Sequence, residues 1–403
     1  MGSTVLRAVV LIQFAGVLGI CFNHLSITLL RFSPPAFSDT VYAEPARWGV
    51  AALFLTSGFL LHWRAPVLMP ESAPVIGRIA TFLVRRFLWL AIPALAAMLV
   101  DMMVLSFKDF GPSHDLLNVA PLLLSLSQTW IYDTIGHVSI GQPMNTSNMA
   151  WISSCLFLFS IVYAILHRLV DRMSFGAAFA AVLLCCAAHL IGFSVLEHHM
   201  PDIIGYGQSV YGDRLAGAYT LAAWATFYSP YAHLMPFLAG VSLAQIAATT
   251  HGRHSIPLAL LVLAGGSLMM LGQFPGIRYL GVNVILLTAI IWWTIERPQR
   301  SADLIDSLAA RRAPHLQSSV LDKLGLSAYA LLLFHMIFYF PLQHRGGISS
   351  FYGLFWIYVS IRAIMVTAMV ALFSYGFIAN VALPLRRAVL RRLALDDTDD
   401  KFI

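Results

Sequence analysis

The stretch Val9–Leu30, VVLIQFAGVLGICFNHLSITLL, decides the fold that we expect for this chain. It is apolar over almost its whole length. About 20 helical residues at ~1.5 Å each cover the ~30 Å hydrocarbon core of a bilayer. The stretch lacks a convincing small-residue cleavage site before Asn23-His24, so we interpret it as a retained first membrane span and not as a cleaved signal.

The rest of the chain repeats this apolar pattern from end to end. Of the 403 residues, 59% are hydrophobic and 11% are charged, whereas a soluble domain carries about 25% charged residues. We therefore predict an all-α, polytopic integral membrane protein with about ten transmembrane helices, forming one membrane domain over 1–382 and a cytoplasmic tail over 383–403. The predicted spans are 8–29, 47–63, 88–107, 150–168, 175–195, 228–248, 255–273, 277–294, 325–342 and 352–378.

The placement of Lys and Arg predicts the orientation of these spans. If the N-terminus is cytoplasmic, these residues favour the cytoplasmic segments by roughly three to one, as the positive-inside rule requires. Both termini are then cytoplasmic, and the protein is a multi-pass protein of the inner (plasma) membrane in contact with lipid. The net charge of +6 fits this orientation and does not indicate a nucleic-acid partner.

Cysteine spacing predicts no metal site. The pattern contains neither a CxxC pair nor a Cys/His zinc spacing, and we interpret the cysteines as small apolar residues. They are Cys21, Cys155, Cys185 and Cys186.

Ionisable side chains within the apolar runs are the main indication of function, because such groups are costly in a membrane. His24 lies in the outer half of the first span and could act as a general base on a hydroxyl, with Asn23 or a hydroxyl orienting it. The alternative is a packed, hydrogen-bonded histidine. His335 lies near the middle of the ninth span. Arg362 lies near the middle of the tenth, where it could pair with Asp101 or face an anionic ligand group.

Several short motifs together resemble the membrane acyltransferase 3 family. Its usual marks are a first-span His, a Ser-Gly-Phe second span, a basic run before a Pro-containing third span and a late Ser-x-Tyr-x(5)-His span. The likeness covers about residues 5–380. The matching residues are Phe22-Asn23-His24, Leu55–Leu60 (LTSGFL), Arg85-Arg86 with Ile92-Pro93, Pro236–Gly240 (PFLAG), and Leu326–Tyr329 (LSAY) with Phe334-His335.

The resemblance implies an integral-membrane O-acyltransferase. It would move an acyl group, with acetyl as the expected group, from cytoplasmic acyl-CoA to a hydroxyl of an extracytoplasmic glycan or a small hydroxylated acceptor. Acyl-CoA is then the donor substrate, and no cofactor is permanently bound. His24 would be the base, and Arg85 and Arg86 would meet the CoA phosphates. The predicted channel or substrate residues are Ser57, Trp151, Ser153, His335, Arg362 and Asp101.

The chain also departs from the family pattern. Gln13 stands where many members have Arg, Trp89 replaces the second Arg of an Arg-x-x-Arg motif, and Trp151–Leu156 (WISSCL) lacks the usual Glu. We also expect no appended SGNH hydrolase-like domain. Two other functions remain open: a transporter or flippase of a sugar or lipid-linked intermediate, and a non-catalytic subunit of a polysaccharide-export assembly. The absence of GxSxG, HExxH and P-loop motifs argues against a soluble-type hydrolase or an ATP-driven machine.

Overall fold

The computed structural model of this chain describes residues 2–30, 43–65, 75–106, 124–127, 129–130, 150–211, 221, 224–249, 275–296, 327–335, 337–338, 352–393 and 395. Every regular element within these residues is helical. In chain order they are α1 (Gly2–Leu30), α2 (Ala43–Trp63), α3 (Val75–Ser106), α4 (Ala150–Asp171), α5 (Phe175–His198), α6 (Met200–Tyr211), a π-helical turn (Trp224–Tyr228), α7 (Pro230–Thr249), α8 (Pro275–Glu296), α9 (327–335), α10 (Tyr352–Phe377), a second π-helical turn (Ile378–Ala382) and α11 (Leu383–Arg392).

The all-α, multi-pass membrane fold is confirmed. Among the described residues, six helices are long and apolar enough to cross a membrane, and Leu280–Ile291 is a shorter apolar helix. The total of ten spans and the cytoplasmic position of both termini stay predictions, and the predicted span 255–273 lies outside the described residues. The six are Val5–His24, Val75–Val100, Trp151–Asp171, Phe175–His198, Pro230–Thr249 and Ile364–Arg392.

The third helix begins much earlier than the hydropathy pattern indicates. The predicted span starts at residue 88, whereas α3 starts at Val75 and carries Arg78, Arg85 and Arg86. A hydropathy window ends at such charges, but arginine has a high helix propensity and does not end a helix. The segment that holds these arginines lies between the spans predicted at 47–63 and 88–107, where we expected a loop, and it is instead part of α3.

The spans predicted at 88–107, 150–168, 175–195 and 228–248 leave two long outside loops, Gly111–Met149 and Glu197–Thr226, and the second of them is partly helical. Within Glu197–Thr226, α6 (Met200–Tyr211) follows α5 with only His199 between them. Most of the other long predicted loop, Gly111–Met149, lies outside the described residues.

Helix α2 lies at the centre of the helix packing, between α1 and α7. A Cβ atom added at Gly58 of α2 would overlap the carbonyl oxygen of Phe237, and one added at Gly240 of α7 would overlap the carbonyl oxygen of Leu55. Glycine at both positions allows the two backbones to touch, as small residues do in membrane helix pairs. The Ser-Gly-Phe and PFLAG motifs thus meet at one helix crossing.

An aromatic core joins α2, α4 and α7. The ring centroids of Phe54 and Phe159 are 5.6 Å apart, and those of Phe159 and Phe237 are 5.1 Å apart. All three side chains are fully buried. Such ring pairs at these distances stabilise the packing beyond the area that they bury.

The last two helices of the described chain are continuous with each other. Helix α10 passes through the π-helical turn Ile378–Ala382 into α11, and both the turn and α11 pack against α3. The predicted boundary between membrane domain and tail, at 382/383, coincides with the start of α11. This boundary remains a prediction, because the apolar span Ile364–Arg392 continues across it.

Candidate functional site

The first-span histidine and the ninth-span histidine are direct partners. His24 Nδ1 lies 2.8 Å from His335 Nε2, and the two rings are nearly coplanar, with an interplanar angle of 3°. His335 is fully buried and His24 is half-buried. The two residues are 311 positions apart in the chain, and the packing of α1 near α9 brings them together.

The hydrogen bonds of His335 assign a proton position to each ring nitrogen of the neutral pair. His335 Nδ1 lies 2.7 Å from the carbonyl oxygen of Leu332, which can only accept. Nδ1 of His335 therefore carries a hydrogen, and its Nε2 accepts one from His24 Nδ1. Neutral imidazole has one N–H, so His24 Nε2 is left with a lone pair that can take up a proton.

Asn23 is buried beside His24, but no described hydrogen bond joins the two side chains. The Asn23 side-chain oxygen has no hydrogen-bond partner among the described residues. Successive side chains of a helix point about 100° apart because there are ~3.6 residues per turn. The described contact that orients His24 is thus with His335, and a role for Asn23 remains a prediction.

Ser57 contacts the residue that replaces the family arginine. Gln13 Nε2 of α1 donates a hydrogen bond to Ser57 Oγ of α2 over 3.2 Å. Gln13 precedes His24 by about three helical turns, so both side chains lie on the same side of α1. A neutral amide–hydroxyl bond therefore joins α1 and α2 at the position where the resemblance leads us to expect an arginine.

A hydroxyl pair lies between the basic part of α3 and the histidine pair. Tyr329 donates its hydroxyl hydrogen to the carbonyl oxygen of Leu90 over 3.0 Å. Ser153 bonds to the Tyr329 hydroxyl oxygen in a short hydrogen bond, and it acts as the donor because the tyrosine hydrogen is already used. Ser153 thus belongs to a buried contact of α3, α4 and α9. In the sequence, Tyr329 could be found from the Ser-x-Tyr-x(5)-His pattern that resembles the family's.

Trp151 belongs to the aromatic packing next to this contact. Its ring lies 5.8 Å from Phe54, 5.3 Å from His233 and 5.6 Å from Tyr228, measured between centroids. His233 also stacks on Phe54 at 4.5 Å. The structure therefore places Trp151 in a tightly packed aromatic cluster of α2, α4 and α7.

The two predicted phosphate-binding arginines lie on α3, one full turn before Leu90. Arg85 is buried, and Arg86 Nε donates a hydrogen bond to Ser160 Oγ of α4 over 3.2 Å. Along α3, the arginines come first, and Leu90, whose carbonyl binds the Tyr329 hydroxyl, follows one turn later. Helix α9 then continues from Tyr329 to His335.

The structure does not test the predicted pair of Asp101 and Arg362. Arg362 is half-buried on α10, and Asp101 is helical within α3, but the side chain of Asp101 lies outside the described residues. Both the pair and the anionic-ligand alternative remain predictions.

A second buried network, which the sequence did not reveal, joins the ends of α2, α4 and α7. Gln245 Nε2 donates to the carbonyl oxygens of Asp171 and Met173 over 3.1 and 3.0 Å. Its side-chain oxygen then accepts from His62 Nε2 at 3.0 Å, and His62 Nδ1 accepts from the Tyr163 hydroxyl at 2.9 Å. Because the polar atoms in this network are paired, it stabilises the helix bundle.

Metal-ligating side chains do not gather in the described part of the chain. No group of three or more His, Cys, Asp or Glu residues there could hold a metal ion. The four cysteines are buried and unpaired with one another.

Comparison with known protein families adds to this geometry. The acyltransferase domain model of the acyltransferase 3 family matches residues 8–374. No curated protein and no solved structure matches the chain significantly. The family match runs from the first helix to α10 and includes both histidines of the pair. Because the match covers nearly the whole chain, this protein belongs to the acyltransferase 3 family of membrane acyltransferases.

Proposed function

We propose that this protein is an integral-membrane O-acyltransferase that uses cytoplasmic acyl-CoA, with acetyl-CoA as the first donor to test, and acylates a hydroxyl of an extracytoplasmic glycan. The observation that carries the proposal is the hydrogen-bonded His24–His335 pair. It leaves a lone pair on His24 Nε2, which is the feature that a general base needs.

In the proposed reaction, His24 Nε2 removes the proton from the acceptor hydroxyl as the oxygen attacks the thioester carbonyl carbon. The carbon–sulfur bond of the thioester then breaks, and the CoA sulfur takes the proton back from His24. The products are an ester and free CoA thiol, and His24 returns to its starting state. A new carbon–oxygen bond replaces the carbon–sulfur bond of the thioester, so no oxidant or reductant is required.

His335 supports this step by holding His24. When His24 takes up a proton it becomes a cation, and its Nδ1–H bond to His335 Nε2 becomes charge-assisted. Such bonds are about twice as strong as neutral ones. The Leu332 carbonyl keeps the donor hydrogen on the far side of the His335 ring, so the acceptor nitrogen of His335 stays directed at His24.

The arginines of α3 suit the donor end of the reaction. Arg85 and Arg86 lie on the side of the protein that the Lys/Arg distribution predicts to be cytoplasmic, where acyl-CoA is found. Their planar guanidinium groups match phosphate geometry. The acyl group would pass from this end along α9 to the histidine pair.

Purified protein in lipid nanodiscs provides the direct test. Incubation with acetyl-CoA labelled on the acetyl group should release CoA thiol and transfer label to a hydroxylated glycan acceptor. Mass spectrometry of envelope glycans and small metabolites from a deletion strain would identify both reaction partners. The mass that goes missing identifies the acyl group, and the species that lacks it is the acceptor. Loss of transport without loss of an acyl group would instead favour the transporter or flippase function.

A further inference from the structure

Three aromatic side chains from the predicted outer side of the protein contact one another. Trp130 belongs to the predicted outside loop Gly111–Met149, Trp224 belongs to Glu197–Thr226, and Tyr231 lies in the first turn of α7. The rings of Trp224 and Tyr231 are 6.5 Å apart between centroids, and the Tyr231 hydroxyl donates to the Trp130 carbonyl oxygen over 3.3 Å. We call Trp130, Trp224 and Tyr231 the aromatic surface.

The polar end of each of these side chains is bonded to the protein backbone. Trp130 Nε1 donates to the carbonyl oxygen of Ser154 over 3.2 Å, and Trp224 Nε1 donates to that of Thr129 over 3.0 Å. Aromatic residues that anchor a protein at a membrane surface instead direct their polar ends to water and headgroups. Tyr231 is 64% exposed, and Trp130 and Trp224 are half-buried. What the two indoles offer to a partner is therefore ring surface.

Helix α4 holds the backbone that carries the aromatic surface. Thr129 donates to Ser154 Oγ through its backbone N–H, over 3.3 Å, and through its hydroxyl, over 2.8 Å. Both residues are fully buried. Ser153, which precedes Ser154 in α4, bonds to Tyr329 of α9, and His335 lies about 9 Å further along α9 at ~1.5 Å per residue. The aromatic surface is therefore joined through α4 to the helix that carries His335.

The backbone next to Trp130 is strained at Leu126. This residue is buried and has a φ of 55°, which a leucine rarely adopts because its Cβ then crowds the backbone. Such strain persists where the surroundings fix it, and it occurs most often at active sites and ligand sites. Ser125 and Ser127, on either side of Leu126, share a hydrogen bond of 2.7 Å between their hydroxyls. The Ser127 carbonyl also accepts from the Trp130 backbone N–H over 3.1 Å, so this hydroxyl pair lies beside the aromatic surface.

We propose that the aromatic surface binds a neutral sugar ring of the acceptor glycan. Because it concerns the acceptor, this proposal rests on the proposed function. The C–H groups on one face of a sugar ring are slightly positive, and they pack on the negative face of an aromatic ring. The sugar hydroxyls then exchange hydrogen bonds with the hydroxyls of Tyr231, Ser125 and Ser127, whose oxygens can accept. None of the side chains of this site carries a charge, so the site suits a neutral sugar and not an acidic one.

Sugar binding can be measured in the absence of acyl-CoA. The method is saturation-transfer difference NMR with the full-length protein in phosphatidylcholine nanodiscs, and empty nanodiscs give the background. The neutral probes are maltotetraose, cellotetraose and mannotetraose, and trigalacturonate is the acidic probe. We expect the wild type to bind at least one neutral probe more tightly than the acidic probe.

Variants that remove a ring test the stacking directly. Tyr231→Leu keeps an apolar side chain but has no ring, so it should weaken binding of the neutral probe by ~3-fold or more. Tyr231→Phe keeps the ring and should bind nearly as well as the wild type. The matched control is Tyr206→Leu in α6, because Tyr206 is 57% exposed and lies outside the aromatic surface. Trp224→Leu should weaken binding as Tyr231→Leu does, and it keeps the test valid if size-exclusion chromatography shows that Tyr231→Leu folds poorly.

The kinetics of transfer give a second readout. Tyr231→Leu should raise the Michaelis constant for the glycan acceptor and leave the Michaelis constant for acyl-CoA unchanged. A general loss of folded protein would instead lower kcat and leave both constants unchanged.

The possible results lead to different conclusions. If the wild type binds none of the neutral probes, or if folded Tyr231→Leu and Trp224→Leu bind them as the wild type does, the sugar site is wrong and the proposed function stands. Tighter binding of the acidic probe would contradict the neutral sugar. If Tyr231→Leu and Tyr206→Leu lower thermal stability equally without changing sugar binding, these tyrosines anchor the protein in the membrane. If the wild type binds sugar through Tyr231 but releases no CoA thiol from acetyl-CoA, the sugar site stands and the proposed transfer reaction is wrong.

Discussion

His24 Nδ1 and His335 Nε2 lie 2.8 Å apart, and His335 is in turn held by the Leu332 carbonyl. This chain of hydrogen bonds gives the two histidines unequal roles. His24 presents the free basic nitrogen, and His335 fixes the ring that carries it. We therefore make a separate prediction for each residue of the pair.

Replacing His24 with glutamine should abolish most of the transfer. Glutamine keeps the polarity and approximate size of histidine but has no basic nitrogen, and loss of a general base typically costs ~10²–10⁴ in rate. We expect His24→Gln to lose at least ~100-fold in transfer, measured as CoA thiol release in nanodiscs, with normal membrane insertion. Near-normal transfer by His24→Gln would mean that His24 is not the base.

Replacing His335 should impair the reaction less than replacing His24, and only through His24. We expect His335→Gln to lower kcat by roughly 10-fold or more, since a charge-assisted hydrogen bond is worth ~1.5–3 kcal/mol. The Michaelis constant for acyl-CoA should stay unchanged. The double variant should be no slower than His24→Gln alone, because residues that act as a unit are not additive. Additive losses would show that His335 has an independent role.

Changing both arginines of α3 should weaken donor binding. Arg85→Gln/Arg86→Gln removes two guanidinium groups from the predicted cytoplasmic side, those of the buried Arg85 and the half-buried Arg86. We expect the Michaelis constant for acyl-CoA to rise by ~10-fold or more, while the protein still inserts into the membrane. Arg172→Gln is the matched control, since Arg172 is exposed after α4 on the same predicted side. An unchanged constant with normal insertion would assign Arg85 and Arg86 to membrane anchoring.

Adding a methyl group at the crossing of α2 and α7 should destabilise the protein. The Cβ of Gly58→Ala would overlap the Phe237 carbonyl oxygen, and such overpacking costs ~1–3 kcal/mol or more. We expect a lower midpoint of thermal unfolding in detergent. Gly192→Ala is the control, because a Cβ there meets nothing within 4 Å, and alanine favours a helix. Equal midpoints for the two variants would contradict the close crossing.

Topology can be measured by cysteine labelling. The Lys/Arg distribution predicts that Gly111–Met149 is outside and that the segment around Ser301 is cytoplasmic. In a variant that lacks the four native cysteines, Ser113→Cys should react with a membrane-impermeant maleimide on intact spheroplasts. Ser301→Cys should react only after lysis. Labelling of both positions from the same side would show that the predicted orientation, or the number of spans between them, is wrong.

The sequence alone determined the all-helical membrane fold and the residue types of the site. Long apolar runs such as Val9–Leu30 are local features, and in a bilayer each run must satisfy its own backbone hydrogen bonds by forming a helix. The order of the short motifs was enough to identify the family, and the match over residues 8–374 confirmed it. Helix ends were harder to predict, as at α3, because charged residues end a hydropathy window without ending a helix.

The tertiary structure decided which of these residues meet. The partnership of His24 with His335, the bond from Gln13 to Ser57 and the bond from Ser153 to Tyr329 all join residues that are far apart in the chain. Hydropathy does not encode such pairings, because lipid is as apolar as the helix surfaces and does not select one partner over another. Close backbone contacts such as those of Gly58 with Phe237 and of Gly240 with Leu55 make that selection. The polar side chains then come together where the packed backbones place them.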